Sequence, residues 1–327
     1  MADMDDNNFM RYVYRGEDGE VIHAEATHII VAEDCTFVRA NAFREHPNIV
    51  EVICHDGVKK MGERAFWGCL SLRRVMMPGV KLVEEEAFYS CPSLTDVECG
   101  KLERIGTAAF GRCKSLRSIH IPSARIVEWG AFNTCESLVD AKFGATLERF
   151  EKRSFSGCTS LERITIPLKD GVISRDDIFY SCHNLRHVDL VEGELHETIT
   201  ALHLNEWKND VHEEIDSINR ILPNTPAGYH DEEDYGGKAL VIQTWIRAVL
   251  DKIEHYKAEH QRVLNEATTL LELAIWKANL DDADGSRIVR EGVRTTRGSV
   301  KRARREICIT SGASIVIKNV LPFLQLK

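Results

Sequence analysis

The sequence predicts an α+β protein. Its first part is a solenoid of stacked coils with a parallel strand face and an N-terminal β-hairpin cap, and an α-helical C-terminal domain with a long helix follows. Three observations predict this. An aromatic ring recurs at Phe43, Phe66, Phe88, Phe110, Phe132, Phe155 and Phe179, at intervals of 23, 22, 22, 22, 23 and 24 residues. Other residue types hold fixed offsets from that ring through all seven units. Beyond Leu190 the period fades, and apolar residues then recur at helical spacing.

Residues 1–37 read as a cap. Tyr12 to His23 alternates around Gly16-Glu17-Asp18-Gly19, the chemistry of a β-hairpin turn. Stacked coils need such an end piece to cover their open sheet edge. His28 to Val31 reads as a degenerate first strand.

Residues 38–197 carry the seven units. Five positions before the ring sits an apolar residue, among them Met61, Val83, Ile105, Val127 and Phe150. Three positions after it comes Cys69, Cys91, Cys113, Cys135, Cys158 or Cys182, with His46 in the first unit. Six after comes Leu or Ile, from Ile49 to Leu185. Nine after comes Val52, Val75, Val97, Ile119, Ala141, Ile164 or Val188, and Pro78, Pro122 and Pro167 close three units. Each unit is one coil: a short strand over the Leu-x-x-Val segment, then a return path through Ala-Phe. A single coil cannot bury its own apolar edge, so coils stack strand on strand at about 4.8 Å per step.

The run Ile105-Gly106-Thr107-Ala108-Ala109-Phe110-Gly111-Arg112-Cys113-Lys114-Ser115-Leu116 resembles the BspA-like class of leucine-rich repeats, and the resemblance extends over roughly residues 38 to 190. It implies a leucine-rich-repeat solenoid. Many members of that class are bacterial surface adhesins. Met1 to Met10 is acidic and polar with no apolar stretch behind it, so an extracellular role is not carried over to this sequence.

Residues 198–327 form the helical domain. Trp207, Val211, Ile215, Ile218 and Leu222 predict one helix from Thr198 to Leu222, stopped by Pro223. Residues 223–237 hold two Pro, three Gly and an acidic run, the composition of an exposed loop. From Lys238 to Leu280 no Gly or Pro intervenes, and Ile242, Ile246, Val249, Ile253, Tyr256, His260, Val263, Ala267, Leu270 and Ala274 step by 4 and 3. That spacing is a long helix with a coiled-coil seam. Ser311 to Lys327, with Ile315, Val316, Ile317, Val320, Leu321, Phe323 and Leu324, is apolar enough to pack on its excess length. This region also resembles the helical tail that follows such repeats in some algal and protist proteins, a resemblance that brings no activity with it.

Net charge −9 disfavours a surface that attracts phosphate as a whole, and no window of about 18 apolar residues marks a membrane span. Ten cysteines without a signal segment point to a reducing compartment, the cytoplasm or, if a basic segment acts as an import address, the nucleus. Stacked cysteines point the same way one strand apart, which suits neither the converging ligands of zinc nor the close Cβ atoms of a disulfide. They read as buried, reduced thiols, while Cys35, Cys54, Cys99 and Cys308 show no Cys-x-x-Cys spacing. His183 with His187, and His255 with His260, fit no zinc motif. With no phosphate loop and no nucleophile elbow, the sequence predicts no enzyme, no metal and no cofactor.

Two surfaces are left. Offsets seven, eight and ten after each Phe face outward, and six basic residues there balance six acidic ones. That face is either self-neutralising, through cross-strand pairs such as Glu51, Arg74 and Asp96, or a partner surface built from Arg74, Asp96, Glu98, His120, Lys142 and Arg163. The second surface is residues 287–305, net +7 against −16 for the remainder, with Arg287, Arg290, Arg294, Arg297 and Lys301 on one helical stripe. It reads as a solvated face docked near the chain's own acids, a nuclear-import address or a phosphate-binding stripe. The sequence therefore predicts a non-catalytic protein-interaction scaffold of unstated partner, whose residues 238–305 dimerise it or dock intramolecularly. The alternative is a nucleic-acid or anionic-surface binder acting through 287–305.

Overall fold

A computed structural model describes residues 4–5, 9–173, 177–191, 194–202, 204–228 and 237–288, with side chains described outside 4–9, 194–195 and 279–288. Cys308, the arginine stripe beyond Ile288 and the apolar segment 311–327 lie outside the described residues. In chain order the first strands are β1 (Met4–Asp5), β2 (Phe9–Tyr14), β3 (His28–Val31), β4 (Phe37–Val38), β5 (Glu51–Ile53), β6 (Lys60–Met61), β7 (Arg74–Met76) and β8 (Leu82–Val83). Next come β9 (Asp96–Glu98), β10 (Arg104–Ile105), β11 (Ser118–Ile121), β12 (Ile126–Val127), β13 (Asp140–Phe143), β14 (Arg149–Phe150), β15 (Arg163–Ile166) and β16 (His187–Leu190). Helices α1 (Glu194–Ala201), α2 (Asn205–Ile221) and α3 (Gly237–Ile288) follow, with a 3₁₀ turn at Leu222–Asn224 before α3.

The coils stack as a solenoid with two parallel strand ladders. One ladder joins β4, β6, β8, β10, β12 and β14 in order. The strand face runs from β2 through β3, β5 and β7 to β9, then resumes from β11 through β13 and β15 to β16. Its register pairs Val52 with Val75 and Val75 with Val97, then Ile119 with Ala141, Ala141 with Ile164 and Ile164 with Val188. The degenerate strand His28–Val31 takes its expected place beside β5.

The hairpin expected over Tyr12 to His23 is not formed. Instead β2 is a first rung, parallel to β3, and the antiparallel pairing at this end joins Met4 to Met10 and Asp5 to Phe9. The Gly16–Gly19 turn is real, with both glycines at positive φ. The Glu20 carboxylate, however, folds back and accepts the amide hydrogens of Arg15 at 3.0 Å and Gly16 at 2.7 Å, donors that a returning strand would have used.

The core is a spine of phenylalanine rings. Phe43, Phe66, Phe88, Phe110, Phe132, Phe155 and Phe179 stack in sequence at centroid distances of 4.8, 5.2, 5.2, 5.4, 5.3 and 5.9 Å, and Tyr14 abuts the first of them at 5.0 Å. Every ring is buried. Two residues before and two after each ring from Phe43 to Phe155 the backbone turns left-handed, as at Arg64 and Gly68, Glu86 and Ser90, Ala108 and Arg112. A non-glycine residue there costs about 1–2 kcal/mol, so something must offset it. The offset is a further backbone ladder, in which the amides of Ala108, Phe110 and Arg112 donate to the carbonyls of Trp129, Ala131 and Asn133 on the next coil at 2.7 to 2.8 Å.

The cysteine column completes this arrangement. The thiol of Cys135 donates to the carbonyl of Phe110 at 3.1 Å, one coil back. Cys69, Cys91, Cys113, Cys158 and Cys182 do the same to Phe43, Phe66, Phe88, Phe132 and Phe155 at 3.0 to 3.2 Å. In the first unit His46 Nε2 reaches the carbonyl of His23 at 3.0 Å. The nine described cysteines are buried free thiols. Coils also approach closely at Gly62 and Gly106, where a Cβ would meet the preceding coil's backbone at 2.5 and 2.7 Å. At the same offset one coil on, Glu84 and Glu128 accept the amides of Glu63 and Thr107 at 3.1 Å each.

The described chain makes two compact units: the repeats together with Val211–Leu250, and Thr198–Asp210 together with α3 from Asp251 onward. In the first, Asn219 Oδ1 accepts the amide of Val188 at 2.9 Å, and Trp245 Nε1 donates to the carbonyl of Glu214 at 2.9 Å. Buried Lys238, at the start of α3, donates to the carbonyls of Leu185 and Leu222, and burial lowers its pKa. These helices therefore cover the last coil. In the second unit Trp207 stacks on Tyr256 at 5.2 Å, and Tyr256 donates to Asp210 at 2.6 Å. The single helix expected from Thr198 to Leu222 is two, α1 and α2. The step from Leu202 to Trp207 is five residues, which rotates the apolar face out of phase, and a break lets Leu202 and Val211 both be buried. Helix α3 is longer than expected, 52 residues, about 78 Å at 1.5 Å per residue.

Two predictions follow from the spine. Phe110→Ala should cost about 3–5 kcal/mol in chemical denaturation, and a near-neutral result would remove the ring from the core. Burial holds the thiols of Cys54, Cys69, Cys99 and Cys182 at about 12, against 9.0 ordinarily. Above pH 9 the unfolded chain releases these protons and the folded chain keeps them. Stability is thus full below pH 9 and falls as pH rises toward 12, by about 1.4 kcal/mol per thiol per pH unit. Urea midpoints that match at pH 8 and pH 10 would contradict this.

Candidate interaction surface

On the strand face the inward residues belong to the core, so the outward columns are the part of this face open to solvent. None of the residues at offsets seven, eight and ten is buried, as expected. Arg74 gathers three carboxylates from neighbouring strands: Glu98 at 2.7 Å, Asp96 at 3.2 Å and Glu51 at 3.8 Å. Its guanidinium pKa is raised, first by the hydrogen bond to Glu98. Arg163 pairs with Asp189 at 2.6 Å, and Lys142 with Asp140 at 3.0 Å. Arg74, Asp96 and Glu98 thus form one cluster. Lys142 and Arg163 share the neighbourhood of Asp140, which stands opposite Arg163 in the ladder. His120 lies between these groups, exposed on β11 beside Lys142 in register.

The same self-pairing recurs on the rest of the solenoid, where Lys60 meets Glu84, Lys81 meets Glu103 and Arg125 meets Glu148 across coils. Exposed pairs of this kind contribute little each. A different feature sits at Arg44, Trp67, Tyr89 and Arg112. The guanidinium of Arg44 lies 4.8 Å from the Trp67 ring, Trp67 stacks on Tyr89 at 6.4 Å, and Arg112 lies 5.5 Å from Tyr89. Both faces of this ladder are already occupied by its own members.

The feature the periodic pattern does not announce is a break. No ladder joins β9 to β11 among the described residues, although the coils on either side are paired and the ring spine passes through with Phe88 and Phe110 at 5.2 Å. Val97 is half-buried where its column neighbours Val75 and Ile119 are buried. The thiol of Cys99 reaches toward the carbonyl of His120 at 3.9 Å. One sequence signal coincides with it. Eleven residues after the ring, the inward side chain is Cys54, Met77 and Cys99 before the break, and Ile121, Phe143 and Ile166 after it. The break lies amid Asp96, Glu98, His120 and Lys142. Of the basic stripe, Arg287 falls within α3 with its side chain undescribed, and Arg290, Arg294, Arg297 and Lys301 lie outside the described residues.

The repeat identity is decided by a family model: the BspA type leucine rich repeat region matches in six copies, over residues 23–127 and 81–194. The chain belongs to this family. BspA-type repeat proteins are generally interaction or surface proteins, and the repeat is typically non-catalytic. Among solved structures the chain is similar to a leucine rich repeat protein of T. pallidum, at 21% identity over 57% of this chain and 76% of that one, with a TM-score of 0.38. It is also similar to a leucine rich cell surface protein of Faecalibacterium prausnitzii, at 18% identity over 59% and 68%, with a TM-score of 0.41. No curated protein matches. No helix among the described residues is long and apolar enough to cross a membrane.

The break has a measurable signature. Asp96 donates to Arg73 and Glu98 accepts from Met77, so the intervening Val97 points its amide toward β11; by the same alternation His120 points toward β9. In hydrogen exchange the amides of Val97 and His120 should exchange faster than those of Val75 and Lys142. Equal protection would mean that the ladder is closed.

Proposed function

We propose that this BspA-type repeat protein is a non-catalytic scaffold that docks a protein partner on its strand face at the break, through Asp96, Glu98, His120 and Lys142, with Arg74 and Arg163 flanking. The break carries this reading. Elsewhere on the face the strands pair coil to coil and their backbone groups are bonded to neighbours, so a partner gains little backbone pairing there. At the break, backbone donors and acceptors of Val97 and His120 have no ladder partner, and half-exposed Val97 adds apolar area between charges of both signs. A protein segment offering backbone hydrogen bonds and mixed charge fits those groups. A polyphosphate does not fit beside Asp96 and Glu98. The free, buried thiols support a reducing compartment.

Affinity capture from the native cell, comparing the wild type with His120→Glu/Lys142→Glu and with Lys81→Glu on another face, tests the assignment. Partners should be lost with the double variant and kept with Lys81→Glu. If the double variant keeps every partner and the full chain binds RNA with a steep loss in rising salt, the face is self-neutralising and the alternative reading through residues 287–305 takes its place.

A further inference from the structure

The second unit holds a surface unlike the rest of the protein. Along α3, Val249 and Ile253 are buried, as is Ala267 further on. Then Leu270 is 44% exposed, Leu273 55%, Ile275 54% and Trp276 63%. A helix keeps large apolar side chains in water only where a partner is absent. Leu270 and Leu273 lie on one stripe with Glu266 and Lys277, at steps of 4, 3 and 4, and Glu266 and Lys277 are exposed as well. The flanking Thr269 donates its hydroxyl to the carbonyl of Asn265 at 2.8 Å, so it brings no unmet donor to that face.

This stripe is complementary to itself in one direction only. Set antiparallel to a second copy about a two-fold axis between Leu271 and Glu272, Leu270 falls opposite Leu273 and Glu266 opposite Lys277, each pair occurring twice. Set parallel in register, glutamate would face glutamate and lysine would face lysine. The two ion pairs close the ends of the apolar stretch. We infer that a second copy of this chain covers the face, with the α3 helices crossing antiparallel about residues 271–272. Arg262, which pairs with Glu266 at 3.5 Å in its own helix, would share that carboxylate with the partner's lysine.

Light scattering of the full chain across a dilution series, with its charge and apolar variants, tests this. The wild type should be a dimer, and Leu273→Glu a monomer with unchanged helical circular dichroism. Glu266→Lys or Lys277→Glu alone should each weaken dimerisation about tenfold, and the two together should restore it, because the swap rebuilds both pairs. A wild-type monomer overturns the inference, as does a dimer indifferent to Leu273→Glu. A double swap that fails to restore association overturns the antiparallel register. If the chain is monomeric and deleting residues 311–327 raises hydrogen exchange over 266–277, the face belongs to the chain's own C-terminal segment instead.

Discussion

The structure depends on what surrounds each phenylalanine. Its ring must stack on the next ring, its amide must donate to the next coil, and its carbonyl must accept a thiol from the next coil. All three demands are met only if the backbone turns left-handed on both sides of the ring. That is why residues as unsuited to this conformation as Arg112 and Thr134 occupy it. The coil cannot relax one demand without losing the others, so the pattern repeats with little freedom from Phe43 to Phe179.

Cysteine at the third position is explained by the same constraint. A serine hydroxyl would also reach the carbonyl, but it would carry a stronger unsatisfied acceptor into an apolar interior. A thiol donates weakly, fills the space of a small hydrophobe and asks for nothing further. Burial raises the pKa of Cys69, Cys91, Cys113, Cys158 and Cys182, so these thiols contribute packing and not reactivity.

The parts of the fold legible in the sequence were those in which one residue type repeats because one contact repeats: the ring spine, the thiol column, and the inward Leu and Val columns. The left-handed turns were hidden, since Arg64, Glu86, Ala108 and Ser90 share no side-chain chemistry, and only Gly68, Gly130 and Gly157 hint at them. The hairpin expectation failed because the turn at Gly16 is closed by Glu20, a side-chain contact that alternation cannot reveal. The charge columns were readable as pairs across coils. The interruption between Val97 and Ile119 was not, because both residues keep their place in the period. The division of α1 from α2 was written in a five-residue step that a count of apolar residues passes over.

The interruption also sets how the solenoid deforms. On the ring side the coils from Phe43 to Phe155 are tied one to the next by stacked aromatics, a strand ladder and amide-to-carbonyl bonds, so separation there is costly at each of these steps. On the strand side, the step from β9 to β11 has no ladder to stretch. A bending force on the array is therefore not shared equally among its coils but concentrates at this one. A bending load would open the strand side first at this step, about an axis through Phe88 and Phe110.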